Sequence, residues 1–220
     1  MKILCVSYRD WAKQIYKMLM SDFCEHSFTF INSKDAYSDK LVEEINPDLI
    51  LWYGWSWLIP DKIFKNYPSV MLHPSPLPKY KGGSPIQNQI INGEKTSAVT
   101  LFVVDSSMDG GEIINQEPFS LEGDLRDVFD RIIKTGYKLS YDMLKKLPVI
   151  NSSAQKGAST YFKRRKREQS EITLEEISRN TAEQLHNKIR CLQDPYPNAF
   201  IKCKNGEKLY IIRSKYEKNR

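Results

Sequence analysis

Along the first half of the chain, apolar residues recur in two alternating rhythms. Short runs rich in β-formers, residues 1–8, Phe28–Ile31, Leu49–Trp52 and Val70–His73, predict strands. Between them, residues 10–22 carry Trp11, Ile15, Met18 and Leu19 at the spacing of a helix face. Ser38–Ile45 does the same with Leu41, Val42 and Ile45, and Asp61–Asn66 predicts a short helix. Ser97–Asp105 and Glu112–Pro118 read as further strands joined by a turn over Ser106–Gly111. Asp124 caps a helix reaching to about Leu147, with Leu125, Val128, Phe129, Ile132 and Ile133 as its buried face. Strand–helix alternation predicts an α/β fold, an open and mostly parallel sheet flanked by helices.

The rhythm changes at Pro148. Pro148–Gly157 predicts a linker, followed by a basic segment, a helix from about Thr173 to Leu192, and a β-hairpin over Phe200–Arg213 that turns at Asn205-Gly206. This divides the chain into residues 1–148, which carry the sheet, and residues 149–220, a small C-terminal extension of helix plus hairpin. An exposed hairpin invites pairing, so a homodimer is expected.

Charge sharpens that division. Residues 1–150 carry 17 Lys/Arg against 19 Asp/Glu, whereas residues 151–220 carry 16 against 8. A basic tail, with Lys163-Arg164-Arg165-Lys166-Arg167 at its start, suits phosphates; a solvated basic surface explains the charge equally well. No apolar run approaches the ~20 residues of a membrane span. The opening apolar stretch breaks at Arg9-Asp10, as a first strand does and a signal peptide does not. Cys5, Cys24, Cys191 and Cys203 have neither metal-type spacing nor disulfide density. A cytoplasmic protein with reduced thiols, no metal and no membrane partner is expected.

Neither G-x-G-x-x-G nor G-x-x-x-x-G-K-[ST] occurs, which removes the usual support for dinucleotide oxidoreductases and P-loop proteins. In an open α/β sheet, ligands bind beyond the carboxyl ends of the strands. Two segments stand out at the third to fifth strand ends. Residues 71–87 read MLHPSPLPKYKGGSPIQ, and residues 104–113 read VDSSMDGGEI. In the first, His73 opens a loop stiffened by four prolines and made pliable by two glycines, a composition suited to a rigid ligand platform.

These two segments resemble the 10-formyltetrahydrofolate-dependent formyltransferase family, whose loop runs roughly N-x-H-P-S-L-L-P-x-Y-R-G and whose second turn, L-D-x-G, bears an aspartate. The likeness covers about residues 1–147. It continues more weakly through Thr160–Arg165 and Ile189–Pro197, segments most like sugar N-formyltransferases. The resemblance implies a formyltransferase with 10-formyltetrahydrofolate as co-substrate. His73 would then supply a donor and move a proton, with Asp109 holding its orientation. The pterin would lie against Trp55, Ser56 and Trp57 and the turn holding Val104, Asp105 and Met108, although core packing is the competing explanation for the tryptophans. Ser75, Lys79, Tyr80, Gly82 and Gln87 would contact the acceptor.

One position departs from the family pattern. Two residues before His73, where the family has asparagine, stands Met71. On a strand, positions i and i+2 share a face, so Met71 flanks His73 without offering an N–H to an oxyanion. Ser75, Ser84, Gln87 and Asn88 are the nearest replacement donors in sequence. For the acceptor, the short tail favours a nucleotide-linked, dTDP-type amino sugar over methionyl-tRNA. A non-catalytic folate- or nucleotide-binding protein is the remaining alternative. His26 and His186 lie near no partner motif and read as incidental.

Overall fold

A computed structural model describes residues 1–217. In chain order, the first half holds β1 (Lys2–Val6), α1 (Asp10–Asp22), β2 (Ser27–Ile31), α2 (Asp39–Ile45), β3 (Leu49–Tyr53), α3 (Asp61–Asn66), β4 (Ser69–His73), β5 (Lys81–Gly82) and α4 (Pro85–Ile91). There follow β6 (Thr96–Val103), β7 (Ile113–Ser120), α5 (Leu125–Leu144), β8 (Tyr161–Phe162), α6 (Leu174–Arg179), α7 (Ala182–Arg190), β9 (Ala199–Lys202) and β10 (Lys208–Ile211). A six-stranded sheet runs β2-β1-β3-β4-β6-β7. Its first four strands pair in parallel, and β6 and β7 join antiparallel. The α/β architecture is the one the strand–helix alternation predicts.

Both faces of the sheet are covered, which is why β3 is apolar at all five positions. On one face, Ile15 and Leu19 of α1 and Val128 and Ile132 of α5 bury against Val70 and Leu72. On the other, Val42 of α2 and Ile63 of α3 pack on Ile50 and Trp52. Each such aliphatic side chain contributes about 1.5–3 kcal/mol on full burial. At Gly136 of α5, a Cβ would stand 2.7 Å from Leu72 Cδ1 and 2.8 Å from Ile15 Cδ1, so a bare backbone lets the helix seat closely.

Several local expectations are corrected. Met18 is 38% exposed, because the buried stripe of α1 runs through Trp11, Ala12, Ile15, Tyr16 and Leu19. Tyr16 fills the place instead, its hydroxyl donating to Val6 O at 3.1 Å and Leu51 O at 2.7 Å. The predicted helix 173–192 is two helices. Asn180 is extended between them (φ −102°, ψ 151°), and the Thr173 and Thr181 hydroxyls accept from Glu176 N and Gln184 N as separate caps. The helix α4 is too short to show a period; Pro85 at its first turn is its sequence signal.

The stretch after Pro148 does not hang free. Ser153 and Ile113 exchange backbone hydrogen bonds of 2.8 and 2.9 Å, and β8 pairs in parallel with β5. Ile172, Ile189, Leu192 and Ala199 are buried in the same cluster as α1 and α5, so the extension shares the main core. Among the described residues, no helix is long and apolar enough to cross a membrane.

Candidate active site

His73 is the last residue of β4 and is 6% exposed. Alternation along the strand puts Val70 and Leu72 in the cluster under α1 and α5, and Met71, with His73, on the opposite face. Because β6 runs antiparallel to β4, its carboxyl end lies beside Ser69, where Val104 N donates to Ser69 O at 2.9 Å. To reach His73, the following turn must run back along β4, about 13 Å at ~3.3 Å per residue. It does so, and brings Asp109 Oδ2 to 3.7 Å from His73 Nδ1. His73 stands at the carboxyl end of β4, whereas Asp109 is delivered by the turn after β6 rather than by a strand end.

Two main-chain groups of the loop hold this pair. His73 Nε2 lies 2.9 Å from Tyr80 O; a carbonyl only accepts, so Nε2 carries the hydrogen and Nδ1 is the atom turned toward Asp109. Gly82 N donates to Asp109 Oδ2 at 2.7 Å. The 3.7 Å between imidazole and carboxylate is beyond hydrogen-bond length, so the two groups face each other without a hydrogen bond and form an ion pair only when the imidazole is protonated. Left-handed backbone clusters here at Tyr80 (φ 58°), Ser84 (φ 52°) and Asp109 (φ 49°), costing of order 1–3 kcal/mol each, which the surrounding hydrogen bonds must offset.

The segment after Pro148 supplies the buttress. Gln155 Nε2 donates to Asp109 O at 2.9 Å and Gly111 O at 2.8 Å, fixing the turn from behind. Thr160 Oγ1 accepts from Tyr80 N at 2.8 Å, Thr160 O from Lys81 N at 2.9 Å, and Phe162 O from Gly83 N at 2.7 Å. Phe162 also stacks on the Tyr80 ring, with centroids 4.9 Å apart. Burial raises the Tyr80 phenol above its usual value, and its hydroxyl donates to Glu94 Oε1 at 2.8 Å.

Of the expected acceptor contacts, Gly82 and Tyr80 thus belong to the network holding His73 and Asp109. Ser75 is buried, donating to Lys79 O at 2.8 Å, while its own carbonyl accepts from Thr100. Lys79 is exposed, and Gln87 lines a neighbouring cleft. Of the expected pterin platform, Trp55 is 7% exposed and packed on Trp52, so core packing accounts for it. Trp57 is 39% exposed, its ring 4.7 Å from Trp55 and 4.9 Å from Tyr8, and Ser56 shares a 2.7 Å hydrogen bond with the Tyr8 hydroxyl. Val104 packs in the same cluster as Trp55, Asp105 caps the turn by accepting from Ser107 N at 2.8 Å, and Met108 is 65% exposed.

Sequence reasoning missed Gln155, the Thr160–Phe162 backing strand, Lys81 and Arg9. Lys81 is 5% exposed, its ammonium 5.5 Å from the Tyr161 ring centroid and 3.6 Å from where a Cβ on Gly110 would stand. Its place in the loop motif was the available signal. Among the described residues, no group of three or more His, Cys, Asp or Glu side chains could hold a metal ion. A cleft of about 350 Å³ between Gly93–Lys95, Glu122–Asp124 and α7 contains neither His73 nor Asp109.

Comparison with known proteins matches a family model described as formyl transferase over residues 11–139, and one described as formyl transferase, C-terminal domain, over residues 167–220. A methionyl-tRNA formyltransferase of Lactobacillus gasseri is 32% identical over 194 residues, 83% of this chain and 59% of that protein. The chain thus spans about three fifths of the curated relatives it matches. Among solved structures, a methionyl-tRNA formyltransferase from Clostridium thermocellum superposes with a TM-score of 0.82 at 33% identity, covering 96% of this chain and 97% of that one. A 4-N formyltransferase from Francisella tularensis has the same fold at TM-score 0.82 and 19% identity, covering 99% and 98%. With the loop and turn motifs placed around one His–Asp pair, and a family model matched over more than half its length, the chain belongs to the formyl transferase family.

Proposed function

We propose that this chain is an N-formyltransferase that moves the formyl group of 10-formyltetrahydrofolate to a primary amine on a phosphate-bearing acceptor, with methionyl-tRNA the leading acceptor. The observation that carries the chemistry is the His73–Asp109 pair, buried and held at 3.7 Å by the loop between Tyr80 and Gly82. The amine nitrogen attacks the formyl carbon, and the carbonyl electron pair moves onto oxygen, where hydrogen-bond donors stabilise it. Collapse breaks the bond from that carbon to N10 of the donor. The proton lost by the amine goes to N10, so the products are a formamide and tetrahydrofolate. His73 moves that proton through Nδ1, since Nε2 is committed to Tyr80 O. Asp109 faces the same nitrogen and favours its passing positive charge. Of the side chains expected to meet the pterin, Trp57 and Met108 are exposed.

The acceptor reading follows the sequence relatives, at 32–33% identity, rather than the expected amino sugar. That expectation rested on tail length and on the likeness of the tail segments to sugar enzymes; tail length does not discriminate, because the Clostridium chain is matched over 97% of its own length. The dTDP-type amino sugar stays as the second reading, favoured by a confined basic cleft of about 150 Å³ beside the loop. The test is tetrahydrofolate release with 10-formyltetrahydrofolate and either methionyl-tRNA or dTDP-amino sugars. Turnover with methionyl-tRNA alone is expected. Turnover only with sugars reverses the order of the readings, and binding without turnover refutes the enzyme.

A further inference from the structure

Beside the loop, Arg9, Arg164, Arg165, Lys166 and Arg167 converge on the cleft of about 150 Å³, and among the described residues no carboxylate lines it. Arg9 belongs to none of the motifs that carry the family likeness. Its guanidinium lies 4.5 Å from the Tyr8 ring centroid and 5.8 Å from that of Tyr196, and it makes no ion pair with a described residue. Gly54 admits this packing, since a Cβ there would come within 2.9 Å of the Arg9 side chain. Arg165 is anchored, its backbone N donating to Ser84 Oγ at 3.1 Å and its guanidinium to Gln169 O at 2.8 Å, while its buried Nε–H has no partner. These converging cations repel one another; Gln169 O and the nearby Glu176 carboxylate offset this in part for Arg165, and an anion in the cleft relieves the rest. Guanidinium forks match phosphate oxygens in particular.

The cleft also has a position that fits a substrate. Ser84 on its wall is two residues from Gly82, whose N–H holds Asp109. On its other side, Tyr8 joins Arg9 to Trp57 and Ser56. We infer that this cleft is a phosphate-binding subsite, with Arg9 and Arg164 gripping a phosphodiester or diphosphate of the acceptor so that its amine falls at His73. As an acceptor subsite it rests on the proposed formyl transfer, but its anion affinity can be measured without any turnover.

The test titrates the full-length chain with inorganic pyrophosphate at low salt by calorimetry. Wild type is expected to bind. Arg9→Gln and Arg164→Gln should each weaken binding by about 10–100-fold, the usual effect of one charge-assisted contact, while Lys204→Gln on the distant hairpin turn leaves it unchanged. No binding by wild type, or equal weakening by all three variants, overturns the subsite in favour of a solvated basic face. Displacement of pyrophosphate by a nucleoside diphosphate assigns the cleft to a nucleotide carrier, and displacement by a short single-stranded RNA assigns it to RNA. Displacement by neither overturns its role toward the acceptor. If pyrophosphate binds as described and formyl transfer is absent, the anion site stands and the enzymatic reading falls.

Discussion

At position 71 the methionine side chain offers no N–H, and two of the stand-ins suggested by the sequence already donate elsewhere. Ser75 donates to Lys79 O and Asn88 Nδ2 to Gly83 O; Ser84 Oγ accepts from Arg165 N, and Gln87 faces the basic cleft. Lys81 is different, a nearly buried lysine beside the Asp109–Gly111 turn whose ammonium has, among the described residues, an aromatic ring as its partner. Three single substitutions separate the roles. His73→Ala is expected to abolish formyl transfer, and wild-type turnover in that variant ends the proposed mechanism. Lys81→Met should slow kcat by about 10²-fold if it supplies the oxyanion donor, the usual loss for one such group. Met71→Asn should leave kcat intact or raise it, and should restore much of the loss in a Lys81→Met background. Additive effects of the two changes would show that they do not serve one oxygen.

Between residue and fold, short elements decide how firmly the pair is held. β5 is two residues long, yet its flanking groups hold both His73 and Asp109. At Gly82, φ is +89° and a Cβ would stand 2.4 Å from Phe162 O. Gly82→Ala is therefore expected to part β5 from β8, at a cost of at least about 2 kcal/mol in thermal or denaturant unfolding. Gln155 grips the other half of the site. Gln155→Ala removes two hydrogen bonds from the turn and is expected to lower kcat about tenfold with little change in acceptor KM, as loss of roughly 1–2 kcal/mol of positioning implies. Gln155→Glu, which replaces the donating amide with an acceptor, should do at least as much harm. An unchanged kcat in both would show that the turn holds itself.

For the whole molecule, the residues after Pro148 belong to the same folded body as the His73–Asp109 pair. Ile172, Ile189, Leu192 and Ala199 fill the main core, while Gln155, Thr160 and Phe162 brace the site. Removing residues 149–220 forfeits about 4.5–9 kcal/mol from Ile172, Ile189 and Leu192 at ~1.5–3 kcal/mol per large apolar side chain, comparable with the ~5–15 kcal/mol stability of a domain. The truncated chain is expected to lose cooperative unfolding in calorimetry together with activity. A shortened chain with a sharp transition and intact turnover would show the extension to be dispensable. How much of this was readable beforehand follows from the range of the forces concerned. Hydrophobic periods of two and 3.6 residues are local, so the six strands of the main sheet, α1, α5 and the sheet class follow from the sequence alone, whereas the break at Asn180 and the short β5–β8 pair do not. The loop from Met71 to Gln87 and the turn from Val104 to Ile113 are contiguous motifs, and they mark His73 and Asp109 directly. Their meeting is not local. It depends on β6 entering antiparallel, so that a turn starting beside Ser69 must travel back to His73. Gln155 and Arg9 lie 46 and 100 residues from Asp109 and join the site only through long-range pairing, which no spacing rule records. The sequence by itself determined which groups can do chemistry; the tertiary structure decided which backbone holds them and which cations stand beside them, because both depend on contacts between segments far apart in the chain.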